Sequence, residues 1–172
     1  MSIRNGGSVH QINIKPKTSG EHGLPKNPVD SVKVTRAGLA GDFNLFRQER
    51  LGGDPDSAVL LMPLETILQL NTEGWSVRAG DLGENFTTAG IPYDHFSPGK
   101  AFRLGEAVVE VSRACVPCKN LCLLPYIGEA NGPNFVKVMH GRRGWYARVR
   151  TEGTVRRGDA IEELRPAGPR GG

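Results

Sequence analysis

Residues 105–122 read Gly-Glu-Ala-Val-Val-Glu-Val-Ser-Arg-Ala-Cys-Val-Pro-Cys-Lys-Asn-Leu-Cys. Ala107, Val109 and Val111 alternate with Val108, Glu110 and Ser112, the two-residue period of a strand with one buried face. Pro117 has no N–H to give to a ladder, so the strand should stop near it. All three cysteines of the chain, Cys115, Cys118 and Cys122, fall within residues 115–122. A thiol just past the end of a rigid strand is well placed for chemistry, and Cys118 is the leading candidate.

The remaining chain supports a sheet around this strand. With 23 Gly and 12 Pro in 172 residues, the punctuation favours many short strands joined by turns over a helical bundle. This length suits one domain with its own core. Residues 8–14 alternate around Val9, Ile12 and Ile14 and read as a first strand. Residues 15–28, rich in Lys, Pro and Gly, read as a long loop. A second strand covers Val32, Val34 and Arg36. Gly38-Leu-Ala-Gly41-Asp42 then allows a turn, with Asp42 able to accept from nearby backbone N–H groups. Residues 43–56 carry no assignable pattern.

The apolar run 58–62 is short enough for a buried strand. Pro63 opens a helix with Leu64, Ile67, Leu68 and Leu70 or Asn71 on one face, and Gly74 ends it. Residues 80–90 read as turn, short strand, turn. Asn134 is expected to cap a short helix through Phe135, Val138 and Met139. Residues 144–150 and 154–159 are expected to form a hairpin across Glu152-Gly153, with 161–164 closing the sheet. The expected organisation is a flexible arm over 1–7, one domain over 8–165, and a disordered tail over 166–172.

Charge and composition narrow the function. The formal net charge is +4, but no basic stripe carries interleaved aromatics, so nucleic acid is not an expected partner. Two or three well-placed cations suffice for a small anion. No apolar run approaches a membrane span, and the polar start lacks a signal-peptide core, which points to a cytoplasmic protein. An odd number of clustered cysteines in such a chain argues for reduced, reactive or metal-bound thiols over a disulfide framework.

Cys115-Val-Pro-Cys118 has the spacing of a thioredoxin-type motif, but it follows a strand late in the chain and does not open a long helix early in a βαβ unit. A zinc site could draw on Cys115, Cys118, Cys122 and His140, but there is no second CxxC pair. Cys122, followed by Leu-Leu, reads best as a buried packing thiol. Cys118 is flanked by Arg113 and Lys119, and neighbouring positive charge favours the thiolate. Gly80-Asp-Leu-Gly-Glu-Asn85 is either a carboxylate-bearing active-site turn or, more simply, a structural turn in which Asp81 and Asn85 bond their own backbone. Trp145 and Tyr146 read as core or rim aromatics.

Five blocks in order resemble the MOSC domain, found at the C-terminus of molybdenum-cofactor sulfurases and as stand-alone bacterial proteins. They are Gly-Leu-Ala-Gly-Asp (38–42), Gly-Gly-Asp-Pro-Asp-Ser-Ala-Val (52–59), Gly-Asp-Leu-Gly-Glu-Asn-Phe-Thr-Thr (80–88), the run from 104 to Pro117-Cys118, and Arg-Gly-Trp-Tyr-Ala-Arg-Val (143–149). The resemblance covers residues 9–164. It implies a mainly β fold, a β-barrel of the pyruvate-kinase-barrel type with a few short helices.

The resemblance also puts the family's functional cysteine at Cys118, as a ligand to the molybdenum of a molybdopterin cofactor or as a sulfur carrier holding a persulfide. Stand-alone relatives are linked to reduction of N-hydroxylated compounds. The sulfurases carry a separate pyridoxal-phosphate domain, for which this chain has no room. Under this reading Arg113, Lys119, Lys26 and Arg148 are the cationic cofactor-binding candidates, joined by Asp81 and Asn85. The expected partners are a small-molecule substrate and an electron-donating reductase or a cysteine desulfurase. Many members have Arg where this chain has Cys115, His where it has Asn44 and Arg where it has Ser57, so contacts at those points must differ here.

Overall fold

In the computed structural model, which describes residues 6–166, the chain runs β1 (Gly6–Ile14), β2 (Asn27–Val29), β3 (Ser31–Thr35), β4 (Gly38–Leu39), α1 (Phe43–Arg50), β5 (Val59–Pro63), α2 (Leu64–Thr72), β6 (Phe86–Ala89), β7 (Ala101–Leu104), β8 (Ala107–Ala114), α3 (Gly128–Val138), β9 (Trp145–Thr151), β10 (Gly153–Arg156) and β11 (Ala160–Leu164). Single 3₁₀ turns lie at Pro55–Ser57, Tyr93–His95 and Lys119–Leu123.

Strand β8 has the predicted alternation: Ala107, Val109 and Val111 are buried in the core. It pairs antiparallel with β7 and β9. The wall continues through β5, β6 and β1, and β1 pairs with β11, which pairs with β7. Seven strands thus close into a barrel, leaving those strands no long free edge. The interior is filled by Val9, Ile12, Leu61, Phe86, Phe102 and Ala147, among others. Val9 and Ile12 are three residues apart, yet both point inward because a register shift falls between Val9 and Gln11. A three-stranded sheet, β10-β3-β4, packs beside the barrel. A second apolar cluster, including Met62, Ile67, Leu70, Leu121, Leu124 and Phe135, joins α2, α3 and the Lys119–Leu123 turn to the outside of the wall.

Several expectations need correction. Gly6 and Gly7 belong to β1 and not to an arm; residues 1–5 and 167–172, where the rest of the expected arm and tail fall, lie outside the described residues. The unassigned 43–56 stretch contains α1. Residues 145–151 and 153–156 are strands but not a hairpin. β9 is already flanked by β8 and β5, so β10 turns away after Glu152 to pair with β3, Val155 opposite Val32. Helix α3 starts at Gly128, so Asn134 lies inside it beside Pro133 and not at its cap; burial of Gly132 and Phe135 holds this helix in place of a side-chain cap.

Candidate functional site

The site grows from a bulge. In β8 the register shifts between Val111, paired with Ala147, and Arg113, paired with Tyr146. Strict alternation would aim residue 113 into the core with Val109 and Val111. The extra residue, Ser112, reverses this, so Arg113 and then Cys115 face the outside of the barrel. Ser112 Oγ donates to Asp56 O at 2.5 Å. Arg113 bonds Asp54 and Ser57 and stacks over the Tyr146 ring at 5.3 Å.

The outward row continues across the wall. Tyr146 pairs with Leu60; Leu60 N–H donates to Asn85 Oδ1 at 3.1 Å, and Asn85 O accepts from Asn13 N–H at 2.8 Å. One row further along, Cys115 N–H donates to Gly144 O at 2.9 Å and Met62 pairs with Thr87. The strip therefore runs along the outer wall, under α1 at one side and the cysteine segment at the other.

Asp42 organises the α1 side. It caps the helix by accepting from Asn44 N–H, and its Oδ2 also receives Lys26 Nζ at 2.7 Å and Asn85 Nδ2 at 3.0 Å. Asn44 Nδ2 donates to Asn85 Oδ1 at 3.0 Å. Burial pulls the Lys26 ammonium below its ordinary value, opposed by Asp42 and Glu84 and reinforced by Arg47. On the other side, burial first, then the neighbouring Cys115, pushes the Tyr146 hydroxyl up. Tyr93 hydroxyl is also raised, chiefly by burial, and it accepts from Gly144 N–H at 3.0 Å.

The three thiols separate cleanly. Cys118 is exposed, Cys115 is buried and Cys122 is half-buried. Pro117 is buried while Val116 is 70% exposed, so the segment is pinned at its proline and Cys118 stands out as the extended N-cap residue just before the Lys119–Leu123 turn. Cys122 packs on Gly132 of α3: a Cβ on that glycine would lie 2.2 Å from its Sγ. Among the described residues no three His, Cys, Asp or Glu side chains gather as a metal-ligand group.

The sequence candidates fall into three groups. Lys26 and Asn85 meet in the buried Asp42 network. Arg113 and Arg148 grip the Pro55–Ser57 turn, with Arg148 2.7 Å from both Asp56 and Glu110. Cys118 and Lys119 are exposed on the cysteine segment. Asp81 bonds its own turn through Arg78 N–H and also accepts from Tyr126 hydroxyl at 2.7 Å, whereas Asn85 bonds distant strands. Sequence reading missed Glu84 and Arg143, both buried polar residues of this region. Both lie inside the blocks 80–88 and 143–149 that carry the family resemblance, beside the glycines Gly80, Gly83 and Gly144, whose positive φ values mark tight turns at the wall.

The MOSC domain model matches residues 48–162, two-thirds of the chain. The chain belongs to the MOSC domain family. The MOSC relative YflK of Bacillus subtilis is 33% identical over 91% of this chain and 73% of its own. Protein YiiM of Escherichia coli is 31% identical over 57% of this chain and 45% of its own length. The crystal structure of YiiM from Geobacillus stearothermophilus superposes with a TM-score of 0.72 at 28% identity, covering 92% of this chain and 75% of that one. YuaD from Bacillus subtilis shares the fold at a TM-score of 0.79 with 18% identity, covering 95% and 98%. Among the described residues of this MOSC protein no helix is long and apolar enough to cross a membrane.

Proposed function

We propose that this MOSC protein binds a molybdopterin cofactor through the Cys118 thiolate and serves in the reduction of N-hydroxylated compounds. The observation that carries this reading is the exposure of Cys118 at the edge of a strip of buried polar side chains. The residues present suit such a group: a thiolate is a soft donor appropriate to molybdenum, and the buried guanidinium of Arg143 keeps Nε and Nη1 without partners, ready for an acceptor-rich ligand. When bound, the cofactor supplies a two-electron centre; the electrons come from a separate reductase, and the N–OH oxygen leaves as water.

The chain's own residues bind and orient. Cys118 holds the metal, and Lys119, exposed beside it, meets an anionic group of the cofactor. Lys26 and Asn85, fixed by Asp42, stiffen the α1 side. The apolar cluster over Met62 limits water. Protein made in a pterin-synthesising host, supplied with an artificial electron donor, should reduce an N-hydroxylated amidine, and Cys118→Ser should abolish this while remaining folded. Full activity in that variant would refute the assignment.

A second reading, a persulfide carrier, is supported by the same contrast among the thiols, since sulfur transfer needs one accessible thiolate. After incubation with a cysteine desulfurase and cysteine, mass spectrometry should then find the added sulfur on Cys118. Sulfur confined to Cys115 or Cys122 would exclude it.

A further inference from the structure

Apart from the thiols and the Asp42 network, the surface carries an extended groove. Two hollows of about 600 and 630 Å³ share Asn71, Val77 and Arg78 as a common wall. The larger lies between α2 and the stretch 25–28, with Pro25, Pro28, Leu64 and Leu68 along its sides. The smaller is bounded by Trp75 and Tyr126. Leu68 is 53% exposed and Tyr126 37%, two of the five large apolar side chains that stand exposed among the described residues. Exposed apolar groups gathered in a concavity mark an interaction site more than the same groups scattered singly.

The common wall is held in place from several sides. Asn71 Nδ2 donates to Val77 O at 3.0 Å, and Asn71 Oδ1 accepts from Val77 N–H at 2.7 Å. Arg78 N–H donates to Asp81 Oδ2 at 2.8 Å, and Gln11 Nε2 donates to Ala79 O at 3.1 Å. Trp75 is backed by the Phe135 ring at 4.7 Å. A wall fixed in advance loses little freedom on binding.

The free charge of the groove has one sign. Asp81 is the only carboxylate lining it, and its Oδ2 is taken by Arg78 N–H and, at 2.7 Å, by the Tyr126 hydroxyl. Lys26 spends its ammonium on Asp42. The exposed Arg78 guanidinium has no carboxylate within 4.0 Å among the described residues. One cation between two apolar hollows is too little for a polyanion, which needs a row of cations. It suits a single carboxylate carried between apolar side chains. Leu64 and Leu68 lie one helical turn apart, about 6 Å along the axis. Alternate side chains of an extended chain repeat at about 6.6 Å, so residues i and i+2 of such a chain meet both leucines.

We infer that this groove binds an extended acidic segment of a partner protein. Two large apolar residues of the segment, set two apart, pack on Leu64 and Leu68, and an aspartate or glutamate within three residues of them pairs with Arg78. The hollow between Trp75 and Tyr126 takes a further apolar residue beyond the acid. The partner covers the outer side of α2, opposite the face that buries Ile67 and Leu70. Nothing in this recognition requires a cofactor at Cys118.

The full chain, immobilised, would be panned against a displayed library of random short peptides, and the most enriched peptide measured in solution by fluorescence anisotropy. Enriched peptides should share Asp or Glu within three residues of two large apolar residues set two apart. Arg78→Glu should weaken that peptide at least about tenfold and should prefer the same peptide with lysine in place of its acid. Leu68→Asp should weaken the original peptide by a similar factor.

Both side chains are exposed, so both variants should melt close to wild type. Should one not fold, the other variant and the acid-to-lysine change in the peptide still decide. No enrichment, enriched peptides without a carboxylate, or unchanged binding in either folded variant would overturn the inference. A dimer in solution that Leu68→Asp splits would give the groove to a second copy of this chain and overturn it as well.

Discussion

Lys26 Nζ donates to Asp42 Oδ2 across 2.7 Å, with the two side chains 2% and 0% exposed. The pair ties the loop before β2 to the first turn of α1. Asp42 is further satisfied by N–H groups of Lys15 and Asn44 and by the Asn85 amide. A polar helix without an apolar stripe is thus held on the barrel through its cap.

Lys26→Met should destabilise the fold by about 3–5 kcal/mol, because it strands the Asp42 charge in a dry site. Lys26→Met with Asp42→Asn should cost less than the sum of the two single changes. Urea unfolding of the four proteins measures this. Additive losses would mean that the two residues act independently.

Gly132→Ala should cost about 1–3 kcal/mol, since the new methyl collides with Cys122. Adding Cys122→Ala should recover part of that loss by making room. A cycle of thermal melts with no such recovery would place the strain elsewhere in α3.

The barrel was legible in the sequence where burial imposes a period. Alternation in 107–112, the apolar run 58–62 and the Pro63 helix start all reflect the side-chain patterns that strand and helix burial require. Helix α1 was not legible, because its stability comes from Asp42, itself fixed by a lysine in a loop sixteen residues earlier. The hairpin expected at Glu152-Gly153 failed because local turn chemistry cannot report that β9 has both edges occupied. At the site, three cysteines and a proline exposed the position of the thiols. The bulge at Ser112, which turns Arg113 and Cys115 outward, leaves no mark in the composition. Glu84 and Arg143 look like ordinary charged residues until tertiary burial removes their solvent.

Stability should carry the signature of Glu84. Burial raises its carboxyl above the ordinary 4.5, and bonds from Gly80 and Thr87 offset this only in part. Just above 4.5 the folded state keeps a proton that the unfolded state has released. This contribution to stability is full below 4.5 and is lost as pH rises through the folded value. Glu84→Gln cannot titrate, so the unfolding free energy of wild type minus that of the variant should fall as pH rises above the ordinary 4.5. A difference that stayed flat or grew would contradict the assignment.

The most direct test is the molybdenum content of wild type and Cys118→Ser, both purified from a host that makes the pterin and both shown to be folded. Wild type should carry about one molybdenum per chain, and Cys118→Ser should lose most of it, because serine cannot replace the soft thiolate. Cys122→Ala should retain the metal. Metal-free wild type, or equal molybdenum in wild type and Cys118→Ser, would contradict the role given to Cys118.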